Sequence, residues 1–239
     1  PTKAAMACQE AAGQARHGEA MRQGKDVLSE EMLAGRFAGK IAARAAVSRD
    51  EIVIELIRKS IHLLIAFTPL LLSISKPLTL ALLSSGIAAF AAFEALRMRG
   101  IRIPLISALT EKAARKRDAG RFVKGPITLG LGALLSALLF EPVPASAAIY
   151  ILAFGDGFSS LVGKLFGHVR MPFTRGKSVE GSLTCLVVSM ISAYAVSGKL
   201  GASAAVAALA TIVEALPAKD WDNILLPLAA GLMATLLGM

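Results

Sequence analysis

Cysteine is close to absent from this 239-residue chain, aromatic residues make up only 5% of it, and it holds a single tryptophan. Cys8 sits in a polar region and Cys185 inside an apolar run, so the two build no disulfide framework and read as free thiols. The histidines, His17, His62 and His168, lie far apart, and with so few thiols no zinc-ligand spacing exists. A Gly-x-Ser-x-Gly turn is missing, which leaves a serine hydrolase without support. Residues 1–50 hold no apolar core segment, so no cleavable signal peptide is expected. Charge is scarce as well, at 18%, where an ordinary globular domain carries about 25%. These shortages argue against a soluble fold.

What fills the chain instead is aliphatic. Hydrophobic residues are 55% of it and the mean hydropathy is +0.62. The charges are segregated, and between them lie apolar runs at 61–75, 78–93, 126–140, 143–154, 182–196, 200–213 and 224–239. This pattern predicts an all-α, polytopic membrane protein with about seven transmembrane helices. Several runs are near 15 residues. At 1.5 Å per residue they cover roughly 22 Å, less than the roughly 30 Å hydrocarbon core. Each must borrow length from flanking polar residues, or stop where the protein makes a wet cavity.

The basic residues orient the spans. With seven of them, 24 of the 26 Lys and Arg fall on one side, and only Lys76 and Lys199 on the other. The positive-inside rule makes the first side cytosolic, with the N-terminus in and the C-terminus out. Residues 1–55 read as a cytosolic, partly helical segment and residues 56–239 as the transmembrane domain. In SEEMLAGRFAGKIAARAA, Met32, Phe37 and Ile41 fall near one face, while Arg36, Lys40 and Arg44 form an i, i+4, i+8 stripe. A solvated helix would look similar, but the stripe favours an amphipathic helix lying on anionic headgroups. No internal repeat is visible.

Ionisable residues at the spans gather on the same side. Arg58, Lys59 and His62 begin the first span, and Glu94 and Arg97 end the second. Asp156 lies near the end of the fourth, Lys177 and Glu180 open the fifth, Glu214 ends the sixth, and Asp222 and Asn223 open the seventh. A transporter is expected to place such groups near the midplane, so this pattern describes a site at one face. Arg58 and His62 share a helix face at i, i+4, and Asp156, Ser160 and Lys164 share another at i, i+4, i+8. Taken singly, each is explained by an interfacial salt bridge or a snorkelling base, and Lys177 and Glu180 (i, i+3) could simply pair. Taken together they suit Mg²⁺ and a polyphosphate. Mg²⁺ takes one or two carboxylates plus phosphate oxygens, and phosphoryl transfer is mainly positioning and charge neutralisation. RGKS at 175–178 is no P-loop, because the glycine required five residues before Gly176 is Met171.

Four motifs carry a resemblance: RKSIH at 58–62, GDGFSSLVGKLFG at 155–167, GKSVEGSL at 176–183 and TIVEALPAKDWDNILLPL at 211–228. In this order they resemble the CTP-dependent lipid kinase family, which includes dolichol kinase, phytol kinase and the CTP-using diacylglycerol kinase of fungi. Phosphatidate cytidylyltransferase is a distant relative. The resemblance runs from Arg58 to the C-terminus. It implies transfer of the γ-phosphate of CTP to the hydroxyl of a membrane lipid (a polyprenol, a phytol-like alcohol or diacylglycerol), with Mg²⁺ as cofactor. The active site would face the cytoplasm.

By the same resemblance, Asp156 matches the acid of the Gly-Asp motif, and Lys177 and Glu180 match the Lys-Ser/Thr-x-Glu-Gly motif; these three are the implied catalytic residues. Glu214, Asp222 and Asn223 match the closing Glu-Ala…Asp-Asn motif, and Arg58, Lys59 and His62 the opening one. Arg58, Lys59, His62, Lys164, Lys177 and Asn223 are thereby implied at the nucleotide, and Asp156, Glu214 and Asp222 at the metal. Gly157 stands where the family often has Ala, and Ser178 where Thr is common. The cytidylyltransferase ending, Lys-Asp followed by Pro-Gly-His-Gly-Gly and Asp-Arg-x-Asp, is missing. Phosphatidate cytidylyltransferase is therefore the second reading, and a non-enzymatic transporter the alternative outside enzymes. The implied partners are CTP, a lipid alcohol and the bilayer, with no nucleic acid; a homo-oligomer stays open. Residues 155–183 are expected to form a catalytic loop between the fourth and fifth spans.

Overall fold

The computed structural model describes residues 49–101, 121–172, 174, 176–218 and 221–239. The amphipathic-helix expectation at 29–46, Cys8 and most of the basic loop before Lys124 lie outside the described residues, as do Arg175 and Lys219. Among the described residues the elements are helical, with one isolated antiparallel bridge between Arg170 and Ser178.

Helix α1 (Arg49–Leu63) passes through a tighter turn at Leu64–Phe67 into α2 (Thr68–Ile74). Ser75 then breaks the chain and caps α3 (Lys76–Met98): its hydroxyl accepts from the Leu78 N–H, and Pro77 fits the first turn, where no N–H is needed. After α4 (Gly125–Leu139) comes α5 (Pro142–Tyr150), which continues through a π-helical turn at Ile151–Asp156 into α6 (Gly157–Leu165). Helix α7 (Val179–Ser197) opens on Ser178, whose hydroxyl accepts from the Gly181 N–H at 3.1 Å. It closes on Gly198 at φ +67°, a left-handed stop that glycine adopts freely. Helices α8 (Leu200–Ala215) and α9 (Asp222–Leu236) complete the bundle.

These stretches follow the apolar runs of the sequence. Four of them, Ile52–Ile74, Lys76–Met98, Pro142–Leu165 and Val179–Ser197, are long and apolar enough to cross a membrane. Gly125–Leu139, Leu200–Ala215 and Asp222–Leu236 are apolar but shorter. Leu70, Ile74, Ile191, Ile212 and Leu236 are exposed. In lipid these side chains meet matching chemistry, as a helical membrane protein requires.

Packing relies on small residues. The core joins Ala148, Ala193, Ala210, Ala230 and Ala234 to Leu129, Ile151, Leu152, Val206 and Leu226. In lipid, close backbone approach supplies the association that apolar burial supplies in water. Gly163 and Gly181 are where α6 meets α7: a Cβ on Gly181 would stand 2.8 Å from the Ser159 carbonyl and 3.2 Å from the Gly163 Cα.

The fourth span differs from its expected form. The apolar run ends at 154, yet the helix runs on to Leu165, so Asp156 lies inside a continuous helix. Only the segment after Leu165 is a loop. Gly155 and Gly163 lie within this helix and serve contact, Gly155 lying against the Ser189 hydroxyl of α7.

Candidate active site

Two polar stripes build the centre of the site. On α1, Glu55, Arg58, Lys59 and His62 recur at the three- and four-residue spacing of one helix face. Across from them lie Leu152, Asp156 and Lys164 of the long helix. The stripes run in opposite directions and pair as they go. Glu55 Oε2 accepts from Lys164 Nζ at 3.0 Å, Lys59 Nζ donates to Asp156 Oδ2 at 2.8 Å, and His62 Nε2 donates to the Leu152 carbonyl at 2.8 Å. His62 Nε2 also lies 3.4 Å from Asp156 Oδ2. Lys59, His62 and Asp156 are all buried. Ser160, on the Asp156–Lys164 stripe, turns back to the Asp156 carbonyl at 3.0 Å. The π-helical turn ends on Asp156 and contains Leu152, so this local irregularity presents both groups to α1; such turns recur at functional positions.

The loop from Phe166 to Ser178 brings the second group. Its two arms pair through Val179 N–H to the Val169 carbonyl and Met171 N–H to the Lys177 carbonyl, both at 2.9 Å. Gly176 turns the chain at φ +94°, which L side chains rarely adopt. Lys177 on the returning arm donates to Glu214 Oε1 at 2.7 Å and to the Glu214 carbonyl. That carbonyl is in the last turn of α8, where a cation is favoured. Ser159 joins the two groups: its hydroxyl is 3.1 Å from the Asp156 carbonyl and 3.4 Å from Glu214 Oε1.

The suspected Lys177–Glu180 pair is not made. Lys177 turns to Glu214, while Glu180 Oε1 accepts from the main-chain N–H groups of His168 (2.8 Å) and Val169 (3.2 Å). Glu180 thus fastens the loop to the first turn of α7, and its Oε2 is buried without a hydrogen-bond partner among the described residues. Asn223 is placed by packing: its side chain donates to Thr128 Oγ1 of α4 at 3.1 Å. One turn on, Pro227 has no N–H to offer the Asn223 carbonyl. Gly132 of α4 lies directly against that carbonyl, where any Cβ would collide.

Glu94 and Arg97 do not join the site. Glu94 is buried, takes Arg97 at 2.7 and 2.8 Å and accepts from the Val123 N–H at 2.7 Å, which ties the end of α3 to the start of α4. Glu55 and Ser159, by contrast, belong to the site and were not picked out from the sequence. The signal for Glu55 was present as an acid three residues before Arg58 on the stripe that ends at His62.

The acids divide between bases and open coordination. Among the described residues no three His, Cys, Asp or Glu stand together as a metal-ligand set. Asp156 Oδ2 is held by Lys59, and Glu214 Oε1 by Lys177. Glu214 Oε2 is buried with no partner among the described residues, and Asp222 lies within electrostatic reach of Asp156, Lys177 and Lys59. An orphaned buried carboxylate oxygen fits Mg²⁺, which needs only one or two carboxylates when phosphate supplies other oxygens.

Comparison with known proteins agrees with the motifs. The chain is 33% identical over 156 residues to a probable chloroplastic phytol kinase of Zea mays, covering 58% of this chain and 52% of that one. It is 29% identical over 229 residues to the chloroplastic phytol kinase 1 of Arabidopsis thaliana, covering 86% and 74%. A third relative is the CTP-dependent diacylglycerol kinase 1 of Eremothecium gossypii, 32% identical over 78 residues, or 33% of this chain and 24% of that one. The chain thus spans about half the length of the Zea mays relative and more of the Arabidopsis one. No family model matches it, and no solved structure does. These relatives support the CTP-dependent lipid kinase family for this chain.

Proposed function

We propose that this member of the CTP-dependent lipid kinase family transfers the γ-phosphate of CTP to the hydroxyl of a membrane lipid alcohol, a phytol-like isoprenoid first among them. The observation that carries the reading is the convergence of Lys59, Asp156, Lys177 and Glu214 from four separate segments of an apolar bundle, with Ser159 joining the two pairs. The names of the relatives add the donor and the acceptor class, since two are phytol kinases and one is a CTP-dependent diacylglycerol kinase. They do not favour the cytidylyltransferase or transporter alternatives. A single site at one face suits a lipid whose tail stays between helices while its hydroxyl reaches the surface.

In this reading each residue has a task set by its surroundings. Arg58, Lys164 and Lys177 meet the phosphates in this reading, because their side chains are partly exposed while the acids they pair with are buried. Lys59 and His62 hold the Asp156 carboxylate in place, and this reading gives it the acceptor hydroxyl. Glu180 keeps the loop that carries Lys177 in place. Asn223, steadied by Thr128, holds the start of α9 and with it Asp222. Mg²⁺ would be held by Glu214 and Asp222, with Asp156 close by, and supplies neutralisation of the charge on the transferring phosphoryl group. The positive-inside distribution of basic residues supports a cytoplasmic site with seven spans.

Products decide the matter. Purified protein incubated with γ-labelled CTP and a panel of phytol, polyprenol and diacylglycerol should yield CDP and a labelled lipid phosphate. Pyrophosphate release with phosphatidate would instead establish nucleotidyl transfer. Neither product under any acceptor would leave the enzyme reading without support. Excess unlabelled ATP that competes as well as unlabelled CTP would remove the CTP assignment alone.

A further inference from the structure

Glu55 is buried, only 5% exposed, and the reaction above gives it no task. Its two oxygens take one base each. Oε1 pairs with Arg58 of its own helix, and Oε2 accepts at 3.0 Å from Lys164, 109 positions away on α6. The two bases differ from the acid between them: their side chains are 27% and 36% exposed, while that of the acid is 7% exposed. The trio carries one positive charge in excess. In addition, Arg58 Nε is a buried donor without a partner among the described residues. An isolated bolt between two helices would be built neutral and satisfied, because buried charge is costly unless matched. Two bases held side by side by one acid, with a donor to spare, have instead the form of an anion receptor.

We infer that Glu55 is a positioning residue that holds Arg58 and Lys164 together as one clamp for the terminal phosphates of the nucleotide. The inference rests on the phosphoryl-transfer reading of the site. The physical reason is simple repulsion. Two like charges brought together without a counter-charge turn away from each other, and both side chains are long enough to swing into solvent. Glu55 fixes their spacing before the nucleotide arrives, so less ordering remains for the binding step. It also sits one turn ahead of Lys59 on the same stripe, so the clamp keeps a set register with Asp156.

The test is Glu55→Gln, which keeps the shape and one acceptor oxygen but removes the charge. CTP affinity is measured directly by titration calorimetry on protein purified in detergent, alongside steady-state kinetics. The Kd and KM for CTP should rise roughly tenfold, the loss of about one charge-assisted hydrogen bond. kcat and the KM for the lipid alcohol should stay within about twofold, because the clamp acts on binding and not on the transfer step. An unchanged or tighter CTP Kd in folded Glu55→Gln protein overturns the inference, as does activity that merely follows the folded fraction. If Glu55→Gln does not fold, Glu55→Asp carries the test, keeping the charge but falling one methylene short. A raised CTP KM then supports the clamp, and an unchanged one overturns it. A wild-type protein that binds CTP but phosphorylates no alcohol would remove the proposed reaction, while the Kd comparison would still decide the role of Glu55.

Discussion

Replacing Lys59 alone should harm the protein more than replacing it together with Asp156. The two are 6% and 8% exposed and meet at 2.8 Å, with His62 at 3.4 Å as the only other ring or base on that oxygen among the described residues. Lys59→Met leaves a buried carboxylate facing one imidazole, and one-sided loss of a buried pair costs ~3–5 kcal/mol. Asp156→Asn keeps an oxygen for Lys59 but strips the counter-charge, at a cost of ~1.5–3 kcal/mol. In the double variant both charges are gone and Met fills the volume of the lysine stem, so stability should return to within about 1 kcal/mol of wild type. Thermal unfolding in detergent reads the stability, and CDP formation per folded molecule reads the function. A pair that only bolts α1 to the long helix would regain activity along with stability. The proposed role of Asp156 requires the opposite, a stable double variant with activity down by about a hundredfold or more. A double variant that is both stable and active refutes the role, and an additive cycle refutes the pairing itself.

Glu94→Gln should lower stability by ~1–3 kcal/mol, because the Arg97 pair and the Val123 N–H contact weaken. Its turnover per folded molecule should match wild type, and a kcat loss at full folding would show that this junction communicates with the site. Gly132→Ala places a Cβ on the Asn223 carbonyl and 3.1 Å from Pro227 Cγ, so ~1–3 kcal/mol of overpacking strain should appear as a lower Tm. An unchanged Tm would mean that α4 and α9 do not approach as closely as described. Gly176→Ala strains a turn at φ +94° by about 1–2 kcal/mol and should raise the KM for CTP through its neighbour Lys177, with the KM for the alcohol as the control.

Much of this was readable in the sequence, for reasons that particular residues make plain. Apolar runs specify helices in lipid because no other element of that length satisfies its own backbone, and the helices follow those runs. The i, i+4 spacing of Arg58 with His62 and the i, i+8 spacing of Asp156 with Lys164 gave two faces correctly, since helix periodicity is local. What periodicity cannot give is which faces meet. The pairing of α1 with the long helix in opposite directions, Glu55 to Lys164 and Lys59 to Asp156, joins residues 97 and 109 positions apart. Glu180 shows the same limit: its spacing from Lys177 allowed a pair, but a tight loop brought the His168 and Val169 N–H groups closer. The loop expected from residue 155 begins only after Leu165, because a glycine needed for close helix contact, such as Gly155 or Gly163, and one needed for a turn look alike in one sequence. Gly176, which does turn, differs only in its neighbours.

Charge balance at the site finally bears on how the nucleotide enters. Arg58 and Lys164 share Glu55, Lys59 faces Asp156 and Lys177 faces Glu214, while Asp222 lies within electrostatic reach of Lys177 and Lys59. The site as a whole therefore sums close to neutral even though the Glu55 trio keeps its excess positive charge. Glu180 stands apart, facing main-chain N–H groups. A nucleoside triphosphate brings roughly four negative charges, since each phosphate is largely ionised at neutral pH. Entering alone, it would compete with the acids for every base and leave carboxylates facing phosphate. Entering with Mg²⁺, it brings a cation for the carboxylates that it displaces, and Glu214 Oε2 already lacks a partner. CTP should therefore bind at least about tenfold more weakly in EDTA than with Mg²⁺, since one like-charge contact near a protein surface is worth ~1–4 kcal/mol. Calorimetric titration of the wild-type protein under both conditions measures this without any turnover. Equal affinity would mean that the acids stay on their lysines when the nucleotide binds, and that Glu214 and Asp222 are structural partners of the bundle.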